Sequence, residues 1–281
     1  MALDLPALHA RLLAAAPLIQ NITNTVVQQF SANVLLAVGA APAMLDHEAD
    51  AGQFAALADA ILVNFGTATN QQLLAADAAI RVARALHKPW VLDPVSIGVI
   101  DYRSTRIRQA AEQQPTVIRG NASEIAALAG LGTGGRGVDS TDEVDAVLTA
   151  ALSLAQTTGA VVAVSGPRDA VVEASGSTVR VARLGGGHAL MPRVVGTGCS
   201  LGSLTAAYLA ACCKEGASAF DATIAAHAHF KLAGQAAGQQ AQGPGSFIPA
   251  FLDALYALPS AAMTKAEVHI EVREMPDLCG L

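Results

Sequence analysis

Short apolar runs rich in β-branched residues alternate with longer stretches whose apolar positions recur at the helical period. The short runs predict strands at 18–23, 60–64, 89–92, 116–118, 160–164, 170–174 and 178–183. The longer ones predict helices at 5–15, 26–38, 70–86, 104–113, 122–129, 141–156, 199–213, 217–237 and 247–255. Periodicity alone does not separate such short runs from buried helix, and the flanking Gly, Pro and Asn decide most of them. Strand–helix alternation implies a mainly parallel sheet with helices on both faces, because each parallel crossover lays its helix over a face. The last two strands lie close on either side of Gly176, so a hairpin adds a small antiparallel part. Residues 266–273 read as a short edge strand or an ordered tail. No long polar linker, low-complexity tract or internal repeat interrupts the 281 residues, and one α/β domain over 1–281 is expected.

Apolar residues make up 52% of the chain and charged residues 14%, which excludes a disordered chain and supplies ample core. Alanine is the commonest residue and aromatics are 4%, so helices and sheet are expected to approach closely through small aliphatic side chains. Lys and Arg number 17 against 23 Asp and Glu, a net charge of −6 with no basic run. That leaves no electrostatic footprint for nucleic acid. The four cysteines, Cys199, Cys212, Cys213 and Cys279, form no CxxC pair and no zinc spacing. With no signal-peptide pattern at the start of the chain, they point to a reducing cytoplasm. Residues 194–213 are uncharged over about a bilayer's length, but their Gly and Ser content reads as a loop and a buried helix, so no membrane partner is expected.

In an open parallel sheet, ligands collect at the carboxyl ends of the strands. Nearly every predicted strand here ends in a polar or flexible motif. These are Asn21 to Asn24, Asn64-Phe65-Gly66-Thr67, Asp93-Pro94-Val95, Arg119-Gly120-Asn121, Ser165-Gly166 and Gly196-Thr197-Gly198-Cys199, and together they suggest one shared site. The last motif opens a long apolar helix. Its glycines let a ligand approach the backbone, and the first helical amides of Gly196, Thr197, Gly198 and Cys199 point outward as an anion hole; the alternative is an ordinary glycine loop. The same position should lower the thiol pKa of Cys199, with burial opposing. Asn121 and Glu124 fit a capping box. They also fit a second reading, in which Asp93 and Glu124 converge beneath a magnesium ion and Arg119 meets nucleotide phosphates.

Other motifs carry less. Gly132-Thr133-Gly134-Gly135-Arg136-Gly137 matches GxGxxG, but a helix precedes it where the dinucleotide fold needs a strand, so it reads as a surface loop. Gly185-Gly186-Gly187-His188 reads as a loop near the site. His227 and His229 stand two apart on a helix, point apart, and read as core or solvent histidines. Cys212 and Cys213 read as buried helix residues. There is no Walker A motif and no nucleophile elbow.

These residues together resemble the hydroxyethylthiazole kinases, small-molecule kinases of the ribokinase-like superfamily in thiamine synthesis and salvage. The likeness runs from Ile22-Thr23-Asn24-Thr25-Val26-Val27 and Ala32-Asn33 through Leu35-Leu36-Ala37-Val38-Gly39-Ala40 and Pro42-Ala43-Met44. It continues through Asn64-Phe65-Gly66-Thr67, Asp93-Pro94-Val95 with Gly98, Arg119-Gly120-Asn121 with Glu124, Gly187-His188 and Val195-Gly196-Thr197-Gly198-Cys199. Related sugar and pyrimidine kinases carry Asp where this chain has Cys199. The resemblance implies a three-layer αβα fold without a separate lid. It implies transfer of the ATP γ-phosphoryl group to the primary alcohol of 4-methyl-5-(2-hydroxyethyl)thiazole, with Mg²⁺, in a cytoplasmic homotrimer whose active sites lie between subunits. By motif, Asn24, Met44 and Gly196 would form the substrate pocket, with Met44 from a neighbouring subunit. Arg119 and Ser165 would bind ATP, and Asp93 and Glu124 would organise the metal. Cys199 would lie beside the substrate hydroxyl, positioning it and at most assisting its deprotonation. The chain departs from the family's pattern at Ser165, usually Thr, and at Ser200, usually larger and apolar. The rivals are a hydroxymethylpyrimidine-type kinase, a nucleotide-linked oxidoreductase and a non-catalytic trimer that kept the fold.

Overall fold

The computed structural model describes residues 3–98, 100–131 and 142–274. Six strands form the parallel part of the sheet: β1 (Leu18–Ile22), β2 (Ala41–Ala43), β3 (Ala60–Asn64), β4 (Trp90–Asp93), β5 (Val117–Asn121) and β6 (Val161–Ser165). β7 (Asp169–Ser175), β8 (Thr178–Leu184) and β9 (Val268–Glu274) extend it antiparallel, giving the order β2-β1-β3-β4-β5-β6-β7-β8-β9 among the described residues. The hairpin turns at Gly176, whose φ of 58° suits a residue without a side chain. β9 pairs with β8 from Leu184↔Val268 to Thr178↔Glu274, which settles the reading of 266–273 as an edge strand.

A helical layer covers each face of the sheet, which is the expected three-layer αβα arrangement. One face carries α1 (Leu5–Ala15), α2 (Gln28–Ala37), α8 (Thr197–Cys213), α9 (Ala219–Gln240) and α10 (Pro244–Ala257). The other carries α3 (Ala51–Leu57), α4 (Asn70–Ala85), α5 (Asp101–Ala111), α6 (Ala122–Leu128) and α7 (Asp142–Thr158). Strand side chains alternate between the two cores. In β3, Ala60 and Leu62 join the first while Ile61 and Val63 join the second; in β6, Val161 and Ala163 oppose Val162 and Val164. Both faces are covered by helices, so the strands read as unbroken apolar runs.

Helix α8 is buried from Ser200 through Cys212. Its small residues bring it down onto the strands: a Cβ on Gly202 would lie 3.0 Å from Leu62 Cδ1, and the Ser203 hydroxyl donates to Asn21 Oδ1 at 2.8 Å. Thr205 and Ser200 return their hydroxyls to the helix's own carbonyls, so a charge-free helix can hold polar residues in the core. Cys212 is buried and Cys213 half-buried, and both are free thiols. Among the described residues, no helix is long and apolar enough to cross a membrane.

Candidate active site

Period-two geometry places the polar strand ends. Residues 60, 62 and 64 share a face, as do 91 and 93, 117 and 119, and 161, 163 and 165. Asn64, Asp93, Arg119 and Ser165 therefore all project from the carboxyl edge on the face that α8 covers. In register, Asn64 lies directly opposite Asp93.

The side chains form a continuous row. Asn24 Nδ2 lies 3.3 Å from Cys199 Sγ and 3.1 Å from Asn64 Oδ1. Asn64 Nδ2 donates to Asp93 Oδ2 at 2.9 Å, and Asp93 Oδ2 lies 3.5 Å from Arg119 Nη1. Arg119 in turn donates to the Ser165 hydroxyl. The Gly66 backbone N–H also donates to Asn64 Oδ1, at 3.0 Å, which fixes the amide with its NH₂ toward Asp93. That turn requires glycine, since a Cβ on Gly66 would come within 2.9 Å of the Asn24 side chain.

Asp93 is fully buried. Burial pushes its carboxyl up, Arg119 opposes, the Glu124 charge adds to the rise, and the outcome is about 7. Among the described residues, its Oδ1 has no hydrogen-bond partner, and neither has Arg119 Nε. Glu124 caps α6: Glu124 N donates to Asn121 Oδ1 at 2.9 Å, and Asn121 N donates to Glu124 Oε2 at 2.9 Å. The capping box is real, and Glu124 still stands close enough to act electrostatically on Asp93. Among the described residues no cluster of three or more His, Cys, Asp or Glu could hold a metal alone. An orphaned buried carboxylate oxygen with a second acid nearby fits Mg²⁺, which takes one or two carboxylates and completes its shell with water and phosphate.

Helix α8 begins above this row. Gly196, its N-cap, has φ +94°, and no side chain caps the helix. A Cβ there would lie 3.0 Å from Phe30 and 3.1 Å from Val27, so both conformation and space demand glycine. Ser200 N–H closes the first helical bond, to Gly196 O, and helical geometry leaves the amides of Thr197, Gly198 and Cys199 facing out. Gly198 admits the guanidinium: a Cβ on it would lie 3.3 Å from Arg119 Nη1. The Cys199 thiol departs from the expected fall. Burial pushes it up to about 11, the Asp93 charge adds to the rise, and the nearby Arg119 and the two Asn amides do not offset them. Desolvation is the largest of these influences.

A family model described as the hydroxyethylthiazole kinase family matches residues 10–261. The chain belongs to that family. The hydroxyethylthiazole kinase of Corynebacterium glutamicum (strain R) is 52% identical over 258 residues, 92% of this chain and 94% of that one. The hydroxyethylthiazole kinase structure from Pyrococcus horikoshii OT3 superposes with a TM-score of 0.85 at 31% identity, covering 95% of this chain and 98% of that one. A pyridoxal kinase from Staphylococcus aureus in complex with ADP shares the fold alone, with a TM-score of 0.64 at 17% identity over 92% of this chain and all of the other.

For a hydroxyethylthiazole kinase family member, two further features matter. A cavity of about 590 Å³ opens beside Arg119 and Ser165, lined also by the first turn of α8 and the segment around His188. Its size suits a nucleotide-sized ligand. His188 seats its ring against α9, where Gly238 has no side chain, and stacks on Phe247 at 6.2 Å. Met44 follows β2 at the far edge of the sheet, outside the row. The GxGxxG segment lies outside the described residues.

Sequence reading missed Lys231 and Asp169 in the cavity wall. His227 and His229 are both buried. His229 meets Tyr208 in the core, whereas His227 Nδ1 lies 2.8 Å from Asp169 Oδ2, directly behind the cavity. The available signal was spacing, since Lys231 follows His227 by four residues and so shares its helix face.

Proposed function

We propose that this chain phosphorylates the primary alcohol of 4-methyl-5-(2-hydroxyethyl)thiazole, using the γ-phosphoryl group of ATP. Its membership of the hydroxyethylthiazole kinase family supports the reaction. The observation that carries the site assignment is the row from Cys199 to Ser165, running beneath an uncapped helix N-terminus into a nucleotide-sized cavity.

Phosphoryl transfer needs alignment and charge neutralisation more than covalent chemistry. Arg119, braced by Asp93 and Ser165, binds the phosphates, and the amides of Thr197, Gly198 and Cys199 hold the transferring group. Asp93 and Glu124 would hold Mg²⁺, which neutralises phosphate charge when bound. Asn24 and Gly196 shape the pocket for the alcohol. Cys199, a neutral thiol at pH 7, orients the hydroxyl; ADP is the leaving group, and the alcohol proton is lost late in a loose transition state, to a phosphoryl oxygen and then to water.

The protein acts as one domain and as a cytoplasmic homotrimer in this reading. Val26 and Val195 flank the site at 65% and 64% exposure, an apolar rim that a neighbouring subunit covers, and Met44 reaches the thiazole of that neighbour's site. The test is product identification by ³¹P NMR after incubation with Mg-ATP and the thiazole alcohol. A phosphomonoester of the thiazole alcohol is expected. ATP consumption without that ester, or ester formed only from hydroxymethylpyrimidine, would refute the assignment.

A further inference from the structure

Two segments wall the nucleotide end of the cavity: the turn from Ser165 to Asp169, between β6 and β7, and the strap from Gly185 to Met191, after β8. They belong to different connections, the first a tight hairpin turn, and meet at one residue of α9. Lys231 Nζ donates to Gly166 O at 2.8 Å and Pro167 O at 3.1 Å, and lies 3.0 Å from Asp169 Oδ1. The Lys231 carbonyl accepts the Gly187 N–H at 3.2 Å. Its stem also limits the strap, since a Cβ on Gly187 would fall 3.1 Å from Lys231 Cδ.

The ammonium has three N–H donors and three acceptors from the turn. It is therefore fully committed to protein and unavailable as a phosphate ligand, although it lines the cavity. Asp169 is committed in the same way: Oδ1 accepts the Gly166 N–H at 2.9 Å, and Oδ2 faces His227 Nδ1. Burial pushes the Asp169 carboxyl up, but the His227 hydrogen bond and the Lys231 ammonium outweigh it and hold it below the ordinary carboxylate range. Asp169 and His227 are almost wholly buried, and the Lys231 side chain is 10% exposed. A buried ion pair is seldom a gain in stability over apolar packing, so its value here lies in geometry.

We propose that Lys231 is a positioning residue for the nucleotide: held by Asp169, it locks the 165–169 turn, and with it the Ser165 hydroxyl that braces Arg119, against the strap. The cavity walls are thereby set before ATP arrives. The inference rests on the kinase reading, because it takes the cavity to be the nucleotide's. The acceptor alcohol lies at the Cys199 end and should not sense the change.

The experiment uses the full chain and titrates Mg-ADP by calorimetry, with KM for ATP and for the thiazole alcohol measured alongside. Lys231→Met is expected to weaken Mg-ADP binding and raise KM for ATP by about tenfold or more, leaving KM for the alcohol unchanged. Lys231→Arg, which keeps a charged donor for the turn, is expected to recover part of the loss. If Lys231→Met does not fold, Asp169→Asn is expected to weaken Mg-ADP binding in the same direction by a smaller factor. Unchanged Mg-ADP affinity in the folded variants overturns the proposal. So does a parallel loss of both substrates' affinity with lowered Tm, the mark of a merely structural residue. Wild-type protein that binds Mg-ADP but leaves the thiazole alcohol untouched would defeat the substrate assignment while this inference stands. Wild-type protein that binds no nucleotide would defeat both.

Discussion

Burial raises the Cys199 thiol to about 11, although the residue sits in the first turn of α8 beside outward amides. At pH 7 roughly one molecule in ten thousand would carry the thiolate. Cys199→Ala should therefore lower kcat only in part, by about tenfold or less, with a pH–rate profile shaped like that of the parent. Cys199→Asp should remain active. Full kcat in Cys199→Ala at saturating substrate would remove Cys199 from the reaction. Asp93 is a different case. Asp93→Asn keeps a partner beside Arg119 but removes the charge that a cation needs, and should cut kcat by about a hundredfold or more. That Asp93, Arg119, Glu124 and Cys199 would gather at one edge was legible because each lies at the end of a strand or the start of a helix. The thiol's state was not, because it is dominated by burial, whose depth a sequence does not contain.

Helix α8 converts a sheet into a site. Its residues from Ser200 to Cys212 are buried, and its glycines set its height above the strands. Gly202→Ala should push α8 off Leu62, where the added methyl would sit 3.0 Å from Cδ1. We expect a loss of about 1–3 kcal/mol from overpacking and a kcat decline with it, checked by urea melts and kinetics. The long strands and helices were readable from their apolar pattern, and so were the hairpin and the order of motifs. β2 and α3 were not. β2 is three residues long and contains Pro42, tolerated because the strand lies at the sheet edge. α3 is seven residues, too short to show a helical period. Lys231 went unread for a related reason. Its partners lie more than sixty residues away in sequence, on a turn whose carbonyls carry no side-chain signature.

The molecule as a whole carries an acid sensitivity remote from the site. His229 is fully buried between Tyr208 and the Leu255 carbonyl, 4.6 Å from the His9 ring. Burial, then the neighbouring His9, depress its pKa from 6.5 to about 3. The folded state thus binds its proton less readily than the unfolded chain. The stability this neutral ring contributes is complete above pH 6.5 and drains away as pH falls toward 3. Denaturant melts at pH 7 and pH 5 should show a loss of about 1–2 kcal/mol that His229→Gln largely lacks. Above this core, the sheet gathers the ends of five strands and one helix onto a single edge, and every proposed role depends on that convergence. The most direct test is ADP release with Mg-ATP across a panel of small alcohols that includes hydroxyethylthiazole and hydroxymethylpyrimidine. Saturable release with the thiazole, at the highest kcat/KM of the panel, is the expected result. Release with another alcohol in preference to the thiazole, or none with any, would contradict the assignment.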